Sequence, residues 1–247
     1  MVRLDQLMNL ENLKKEIARK TITESFHPKF PLCLLNYTNK AQYEHKWTTE
    51  QLLSRGLVYD TDTLEVVARP FAKFFNYDPS KTLIADDEPV VLTDKLDGSL
   101  GILFLYNGSI IFASRGSFTS PQAMHAYEVY MNRYHGKWEI VTGYTHLFEI
   151  IFPTNKIVVD YGKTDDIFYL ASVHNETGVV VRTDFRDDWP GQKTTLFDDA
   201  KTMSDVSKYM DRGPDVEGLV IYFPNRDEMY KFKQPSYLQK HKSNGMT

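Results

Sequence analysis

The chain has 247 residues, of which 42% are hydrophobic and 25% charged, and its formal net charge is −4 at pH 7. This length and composition are ordinary for a globular protein with a substantial core. The single cysteine, Cys33, excludes an internal disulfide and a thiolate metal cluster. No apolar run approaches the roughly 20 residues that span a bilayer, and the charged N-terminus lacks the apolar region of a signal peptide. We therefore expect a cytosolic protein in which any site for a polyanion is a local patch.

The first predicted element is an amphipathic helix over residues 3–20, with Leu4, Leu7, Met8, Leu10, Leu13 and Ile17 on or near one face. After it, paired apolar stretches around turn-forming residues predict β-hairpins. They lie at 56–71 around Asp60–Thr63, at 100–115 around Asn107-Gly108, at 167–181 around 175–178, and at 218–232 around 224–227. The run from His146 to Phe152 predicts a buried strand that ends at Pro153.

Helices are predicted at about 121–134, at 203–211 and after Pro235. Several hairpins with few helices indicate an α+β fold of antiparallel β-sheets flanked by helices. No repeat and no Gly-, Ser- or Pro-rich linker interrupts the chain, so we expect one domain over residues 1–247.

The segment Lys95-Leu96-Asp97-Gly98-Ser99 places a lysine between two apolar stretches, Val90–Leu92 and Leu100–Tyr106. Desolvation there favours the neutral amine, which is the form that acts as a nucleophile. Gly98 permits a tight turn directly after Asp97.

Other charged residues also lie within apolar, strand-like segments: Glu149, Glu217, Lys231 and Lys233. The two lysines alternate with Tyr230 and Phe232, so both point to one face of their strand. Together with Lys95, these groups suit a nucleoside triphosphate and Mg²⁺, because carboxylates bind the metal and ammonium groups bind phosphate oxygens. The alternative is that each charge lies on a solvated sheet face.

In this order, the motifs Lys-x-Asp-Gly, Phe-Glu, Glu-Gly and Lys-x-Lys resemble the covalent nucleotidyltransferases, which comprise RNA ligases, DNA ligases and capping enzymes. Within that superfamily the chain is similar to the RNA ligase 1 family of T-even phages. The resemblance extends along nearly the whole chain, through Ser54–Gly56, Arg69–Asn76, Lys95–Leu100, Ser114–Ser117, Phe148-Glu149, Pro153–Val158, Asn175–Gly178, Glu217-Gly218 and Lys231–Lys233.

The resemblance implies an ATP-grasp-like nucleotidyltransferase domain and an ATP-dependent RNA ligase that acts in RNA repair. It implies that Lys95 forms lysyl-AMP, that AMP passes to an RNA 5′-phosphate, and that a 3′-OH then attacks this end. Lys231 and Lys233 would bind the α-phosphate and, as like charges, favour the neutral form of Lys95. Glu149 would hold the ribose or a metal-bound water, and Glu217 is the better candidate for binding the Mg²⁺ (or Mn²⁺) ion. The sequence alone leaves these two roles exchangeable.

The remaining residues expected at the nucleotide by resemblance are Arg55, Lys73, Phe75, Asp97, Gly98 and Arg115. Arg55, Lys73 and Arg115 would lie near phosphates, although the phage enzyme has lysine where this chain has Arg115. Phe75 would contact the nucleotide or belong to the core. In the tail, Tyr237, Lys240, His241 and Lys242 would support an RNA end or form a solvated helix.

Leu100 occupies a position where DNA ligases and capping enzymes usually carry a basic residue, which favours the RNA ligase 1 branch. The tRNA-specific C-terminal domain of the phage enzyme and an OB-fold are expected to be absent. We also expect the protein to be a monomer and to act in the cytoplasm of a phage- or virus-infected host cell. Whether a separate partner selects the substrate or heals the RNA ends is left open. Two alternatives remain: a nucleotidyltransferase that acts on DNA ends or capping-type ends, and a module that binds nucleotides or RNA ends without catalysis.

Overall fold

A computed structural model describes residues 1–181 and 184–243, so part of the predicted 1–247 domain lies outside the described residues. The chain divides into two compact units, each assembled from three separate segments. Unit 1 contains Met1–Lys73, Ser99–Ile150 and Asp166–Lys193, and unit 2 contains Phe74–Gly98, Ile151–Asp165 and the described residues from Thr194 onward. The single domain over 1–247 stays a prediction.

The helices and strands confirm the predicted α+β class. The helices are α1 (Leu4–Leu7), α2 (Leu10–Ala18), α3 (Asn39–Glu44), α4 (Thr49–Leu53), α5 (Pro121–Arg133), α6 (Asp184–Asp188), α7 (Met203–Val206) and α8 (Pro235–Ser243), with short 3₁₀ turns at Pro153–Asn155 and Ser207–Tyr209. The strands are β1 (Ile22–Phe26), β2 (Leu32–Tyr37), β3 (Arg55–Asp60), β4 (Val66–Ala68), β5 (Phe75–Asn76), β6 (Val91–Lys95), β7 (Ser99–Tyr106), β8 (Ser109–Ser114), β9 (Tyr144–Ile151), β10 (Asp166–His174), β11 (Val180–Val181), β12 (Gly218–Phe223) and β13 (Glu228–Lys233).

Unit 1 is built on two antiparallel sheets, with strand orders β1-β2-β3-β4 and β11-β10-β9-β7-β8. Apolar side chains from both sheets, among them Leu34, Val58, Ile102, Phe104 and Leu147, form one buried core. A second core packs the N-terminal helices against β1, β2 and β3. Burial of these apolar faces is the main force that holds the sheets together.

The predicted hairpins are confirmed, and their turns show why they form. Asn107 and Gly108 both have positive φ angles, of 47° and 79°, as a two-residue turn between β7 and β8 requires. Before β4, one carboxylate oxygen of Asp60 accepts hydrogen bonds from the backbone of Asp62 and Thr63, and the other accepts one from the Tyr106 hydroxyl at 2.7 Å.

Unit 2 contains one four-stranded sheet with the order β5-β13-β12-β6. Strands β6, β12 and β13 are antiparallel, whereas β5 joins β13 in parallel. Apolar residues such as Leu92, Val206, Leu219, Ile221 and Phe223 form the core on this sheet.

Two predicted helices were wrong in extent. The helix over 3–20 is two helices, because Met8 is extended and the Asn9 side chain accepts a hydrogen bond from the Asn12 backbone to start α2. The helix over 203–211 ends at Val206 and continues only as a 3₁₀ turn. Within residues 1–181 and 184–243, no helix combines the length and the apolar character needed to cross a bilayer.

His146 is a buried polar residue of β9 whose two ring nitrogens both have hydrogen-bond partners. Its Nδ1 lies 2.6 Å from Ser172 Oγ, and its Nε2 accepts the Val141 N–H at 3.2 Å. Burial lowers the pKa of His146 to about 3, so the imidazole stays neutral in the folded state. The unfolded chain binds a proton at this residue below its ordinary pKa of 6.5, and the folded chain does not.

We therefore predict that the stability of the protein falls as the pH drops below 6.5, and that His146→Gln removes part of this fall. Between about pH 7.5 and about pH 5, the wild type is expected to lose about 2 kcal/mol more than the variant. Urea denaturation of both proteins at the two pH values measures the difference. Equal losses in the two proteins would show that His146 is not the group responsible.

Candidate functional site

The register of the unit 2 sheet places Lys95 and Lys233 on either side of Gly218. Gly218 pairs with Lys95 of β6 and with Lys233 of β13, and Glu217 comes directly before it. A Cβ atom at Gly218 would overlap the Phe232 carbonyl and would lie 2.9 Å from Lys233 Cα. The glycine of the Glu-Gly motif is therefore required by the close approach of β12 and β13.

The carboxylate of Glu217 is buried and joins these two lysines. Its Oε1 lies 3.0 Å from Lys95 Nζ and 3.7 Å from Lys233 Nζ, and the Glu217 side chain is only 5% exposed. Burial raises the pKa of Glu217, and the positive charges of Lys95 and Lys233 offset only part of that rise. The sequence placed cations beside Lys95 but did not place this carboxylate in contact with it.

Asp97 organises the backbone that follows Lys95. One carboxylate oxygen accepts hydrogen bonds from the backbone of Val158 at 2.8 Å and Val159 at 2.7 Å, and the other accepts the Tyr237 hydroxyl at 2.8 Å. The Asp97 N–H donates to the Tyr161 hydroxyl at 2.8 Å. These contacts fasten the segment after Lys95 to the Val158–Val159 backbone and to α8, and Gly98 follows in the bend before β7.

Tyr237 is buried, so its ring is not exposed for stacking on an RNA end, in contrast to the role considered for the tail. Burial, then the nearby charge of Glu217, raises the pKa of the Tyr237 phenol, which keeps the hydroxyl as a donor to Asp97. Lys240 bonds to the Pro214 carbonyl at 3.0 Å, which fastens α8 to the loop before Glu217.

Arg212 is a site residue that the sequence reasoning missed. Its Nη2 lies 2.8 Å from Asp94 Oδ1 and also donates to the Gly218 carbonyl. Because Asp94 precedes Lys95 and Gly218 follows Glu217, this guanidinium ties together the two strand ends that carry them. An arginine in an Asp-Arg-Gly-Pro loop shortly before the Glu-Gly motif was the signal available in the sequence.

The other predicted residues of unit 2 lie on β5 and β13. Lys231 shares a strand face with Lys233, and its Nζ lies 5.9 Å from the centre of the Phe74 ring. Phe75 is 43% exposed, so the alternative that placed it in the core was wrong.

In unit 1 the three predicted cations Arg55, Lys73 and Arg115 converge on the phenol of Tyr37. Arg115 Nη1 donates to the Tyr37 hydroxyl at 3.1 Å, and Lys73 Nζ lies 5.2 Å from the centre of the Tyr37 ring. The same ammonium lies 4.9 Å from the centre of the Trp47 ring, which meets Tyr37 edge to face. Tyr37 was not predicted as a site residue, because an aromatic residue at the end of an apolar run is usually core. Trp47 was not predicted either, because it lies in a polar segment that carries no recognised motif.

In this cation cluster, defined as Arg55, Lys73 and Arg115 around Tyr37, neighbouring charges change the pKa values of Tyr37, Arg55 and Lys73. Burial favours the neutral phenol, but the nearby Arg115, Arg55 and Lys73 outweigh it and lower the pKa of Tyr37. Burial lowers the pKa of Arg55 and of Lys73, and their like charges act in the same direction. Cations held together at this density attract an anion such as a phosphate.

Glu149 lies on β9 opposite Leu100 of β7, and its negative charge favours the charged form of Arg55. Glu149 thus belongs to unit 1 and Glu217 to unit 2. Among the described residues, no group of three or more carboxylate, histidine or cysteine side chains is placed to hold a metal. The buried carboxylate of Glu217 is a ligand of the kind that Mg²⁺ accepts together with substrate phosphates.

Comparison with known proteins agrees with these motifs. The family model for RNA ligases of the T4 RNA ligase 1 type matches residues 53–237. The chain belongs to this RNA ligase family. The match includes Arg55, Lys95, Glu217 and Lys233.

Two of the similar proteins come from a virus and a phage. The chain is 26% identical to a putative bifunctional polynucleotide kinase/RNA ligase of Autographa californica nuclear polyhedrosis virus, over 86% of this chain and 34% of the relative. It is 29% identical to RNA ligase 1 of bacteriophage TS2126, over 43% of this chain and 31% of the relative. The chain thus spans about a third of the length of these two relatives.

Solved structures share the fold. An archaeal ATP-dependent RNA ligase superposes with a TM-score of 0.62 and 18% identity, over 92% of this chain and 62% of the archaeal chain. A putative ATP-dependent DNA ligase from Aquifex aeolicus gives a TM-score of 0.65 and 13% identity, over 96% of this chain and 67% of the other. These matches confirm the predicted nucleotidyltransferase fold.

Asp97→Asn should destabilise the protein by about 1–3 kcal/mol, because an amide replaces a charged acceptor of buried donors. Urea denaturation measures the loss. Asp215→Asn is the matched control, since that carboxylate is exposed and its ion pair with Lys240 is worth little. If Asp97→Asn loses no more unfolding free energy than the control, Asp97 does not have this structural role.

Proposed function

We propose that this protein is an ATP-dependent RNA ligase that joins 5′-phosphate and 3′-OH ends of RNA through lysyl-AMP and an adenylylated RNA end. The observation that carries the proposal is the contact of Lys95 with the buried Glu217, with Lys233 on the same carboxylate oxygen. The reaction that we assign to this geometry is the one expected from membership of the RNA ligase family. A module that only binds RNA has no need for a lysine set against a buried acid.

In the first step, Lys95 Nζ attacks the α-phosphorus of ATP. A P–N bond forms, the bond from that phosphorus to the bridging oxygen breaks, and pyrophosphate leaves with the electron pair. The proton of the amine passes to Glu217, whose raised pKa and 3.0 Å distance make it a suitable acceptor. Lys231 and Lys233, on one face of β13, stabilise the charge that develops on the α-phosphate.

In the second step, an oxygen of the RNA 5′-phosphate attacks the phosphorus of lysyl-AMP and the P–N bond breaks. Lys95 leaves as an amine that takes back the proton from Glu217. In the third step, the oxygen of the 3′-OH attacks the 5′-phosphate of the activated end, and the pyrophosphate bond to AMP breaks. A phosphodiester forms, AMP leaves with the electron pair, and the hydroxyl proton is released to solvent. The cation cluster of unit 1 binds phosphate groups of the substrates, since three cations surround a single phenol there. Phe75, which is exposed, contacts the nucleotide.

Mg²⁺, or Mn²⁺, would be held by Glu217 or Glu149 and would supply charge neutralisation at the phosphates. Both residues are retained as candidate ligands, and whichever does not bind metal serves the ribose. The remaining work is done by the lysines and arginines named above, which bind and orient phosphate groups.

Radiolabelled nucleotides and a panel of ends test the overall function. Protein is incubated with Mg²⁺ and ATP or GTP labelled on the α-phosphate, and then with 5′-phosphorylated single-stranded RNA, nicked duplex RNA and the DNA equivalents. We expect a covalent label from ATP and joined RNA. If only GTP labels the protein, or if only DNA ends are joined, the protein is a different nucleotidyltransferase and the RNA ligase proposal is wrong.

Lys95→Arg should abolish the covalent AMP label, because a guanidinium preserves the positive charge beside Glu217 but is not a nucleophile. Lys95→Ala should have the same effect, and gel electrophoresis of the labelled protein measures both. Lys81→Ala is the matched control, because Lys81 is exposed and pairs only loosely with Asp78, at 3.9 Å. Label retained in both Lys95 variants would show that another residue is the nucleophile.

Glu217→Gln should slow self-adenylylation by a factor of at least about 100, because the amide neither accepts the Lys95 proton nor binds a metal well. It should also raise the Mg²⁺ concentration needed for half-maximal rate. Rates across a Mg²⁺ series measure both effects, with Asp215→Asn as the control. A lowered rate with an unchanged Mg²⁺ requirement would leave Glu217 as a proton acceptor and remove it from the metal site.

A further inference from the structure

Helix α3 of unit 1 ends in a segment, Tyr43–Trp47, that presents aromatic and basic side chains. Tyr43 is 88% exposed, and the neighbouring His45 and Lys46 are exposed as well. His45 has a φ of 51°, in the left-handed region, which turns the chain sharply at the end of the helix. A large aromatic ring exposed to this degree contributes little to folding, so the fold does not account for it.

The segment is held in place at both ends. Glu44 pairs with Arg19 at 2.8 Å and with Lys40 at 3.9 Å. After Trp47, Thr48 starts α4 with a capping box that it shares with Gln51. The Tyr43 ring is therefore carried by a fixed piece of backbone, which reduces the entropy cost of binding.

Trp47 connects this segment to the cation cluster. The centres of the Trp47 and Tyr37 rings lie 5.1 Å apart, and Lys73 Nζ lies 4.9 Å from the centre of the Trp47 ring. Arg115 in turn bonds to the Tyr37 hydroxyl. Unit 1 thus carries three features in succession: the exposed ring of Tyr43, the cationic side chain of Lys46 and the cation cluster.

We propose that Tyr43–Trp47 is a subsite for single-stranded RNA, in which an unpaired base stacks on Tyr43 and the backbone phosphates contact Lys46 and the cation cluster. The proposal rests on the proposed ligase function and names the part of the substrate that this surface binds. Aromatic rings interspersed with cations bind single strands, because every base offers a face for stacking and every nucleotide carries a phosphate. A base paired within a duplex has no free face, so the subsite discriminates in favour of unpaired RNA. The negative charge of Glu44 is balanced by Arg19, so it does not repel the strand.

The test is the affinity of the full chain for RNA, measured by fluorescence anisotropy without ATP. The probes are a labelled, 5′-phosphorylated single-stranded RNA and a blunt duplex of the same sequence. Tyr43→Ala should weaken binding of the single strand by about 5- to 100-fold, and Tyr43→Phe should restore it because the ring remains. Lys46→Ala should reduce the slope of log affinity against log salt concentration by about 0.7, the value for one phosphate contact on a single strand.

Tyr127→Ala is the matched control, since Tyr127 is an exposed tyrosine on α5 of the same unit. Self-adenylylation of each variant is measured in parallel, and Tyr43→Ala should lose RNA affinity and ligation by a far larger factor than it loses the covalent label. If Tyr43→Ala binds single-stranded RNA as tightly as the wild type, or loses the same factor in affinity for the duplex, the subsite is overturned. A covalent AMP label on the wild type would still uphold the ligase in that case. Absence of the label in the wild type would instead overturn the proposed function.

Discussion

The ion pair between Glu217 and Lys95 is the constraint on which the candidate site of unit 2 depends. Removing a carboxylate from water is costly, and the cost is met only where good geometry supplies compensating charges. Here two ammonium groups approach the same oxygen, at 3.0 and 3.7 Å, while burial still raises the pKa of Glu217. The arrangement holds Lys95 within hydrogen-bonding distance of a buried acid, with Lys233 slightly farther away. In the proposed reaction this contact serves proton transfer rather than stability.

Backbone geometry makes this arrangement possible. Because Gly218 has no side chain, β12 lies close enough to β13 for Lys95 and Lys233 to flank one residue of the central strand. Asp97 and Arg212 then fix the ends of these strands, through hydrogen bonds to the Val158–Val159 backbone and to the Gly218 carbonyl. Glu217 and Lys95 are therefore positioned by residues that need not touch the substrate.

Turn chemistry made the hairpins predictable, whereas side-chain contacts were not. The positive φ angles at Asn107-Gly108 follow from the residue types, and so the hairpin β7–β8 was found. The break at Asn9 was missed, because the apolar stripe continues through it while a single cap decides where α2 starts. The motif residues of the site were found by resemblance. The contact of Glu217 with Lys95 depends on strand register, and the role of Tyr37 depends on three cations that come from distant parts of the sequence.

The cation cluster places partly buried like charges close together in unit 1, which works against folding. Arg55 and Lys73 lie close enough to Arg115 for their like charges, added to burial, to lower their pKa values. Such a cluster costs folding free energy, and Tyr37 relieves part of that cost because its oxygen accepts the Arg115 hydrogen bond. A chain with a net charge of −4 does not attract polyanions as a whole, so local density of cations must supply that attraction. In the proposed function, a bound phosphate offsets the remaining repulsion, so that part of the stability given up in the fold is recovered as affinity for the substrate.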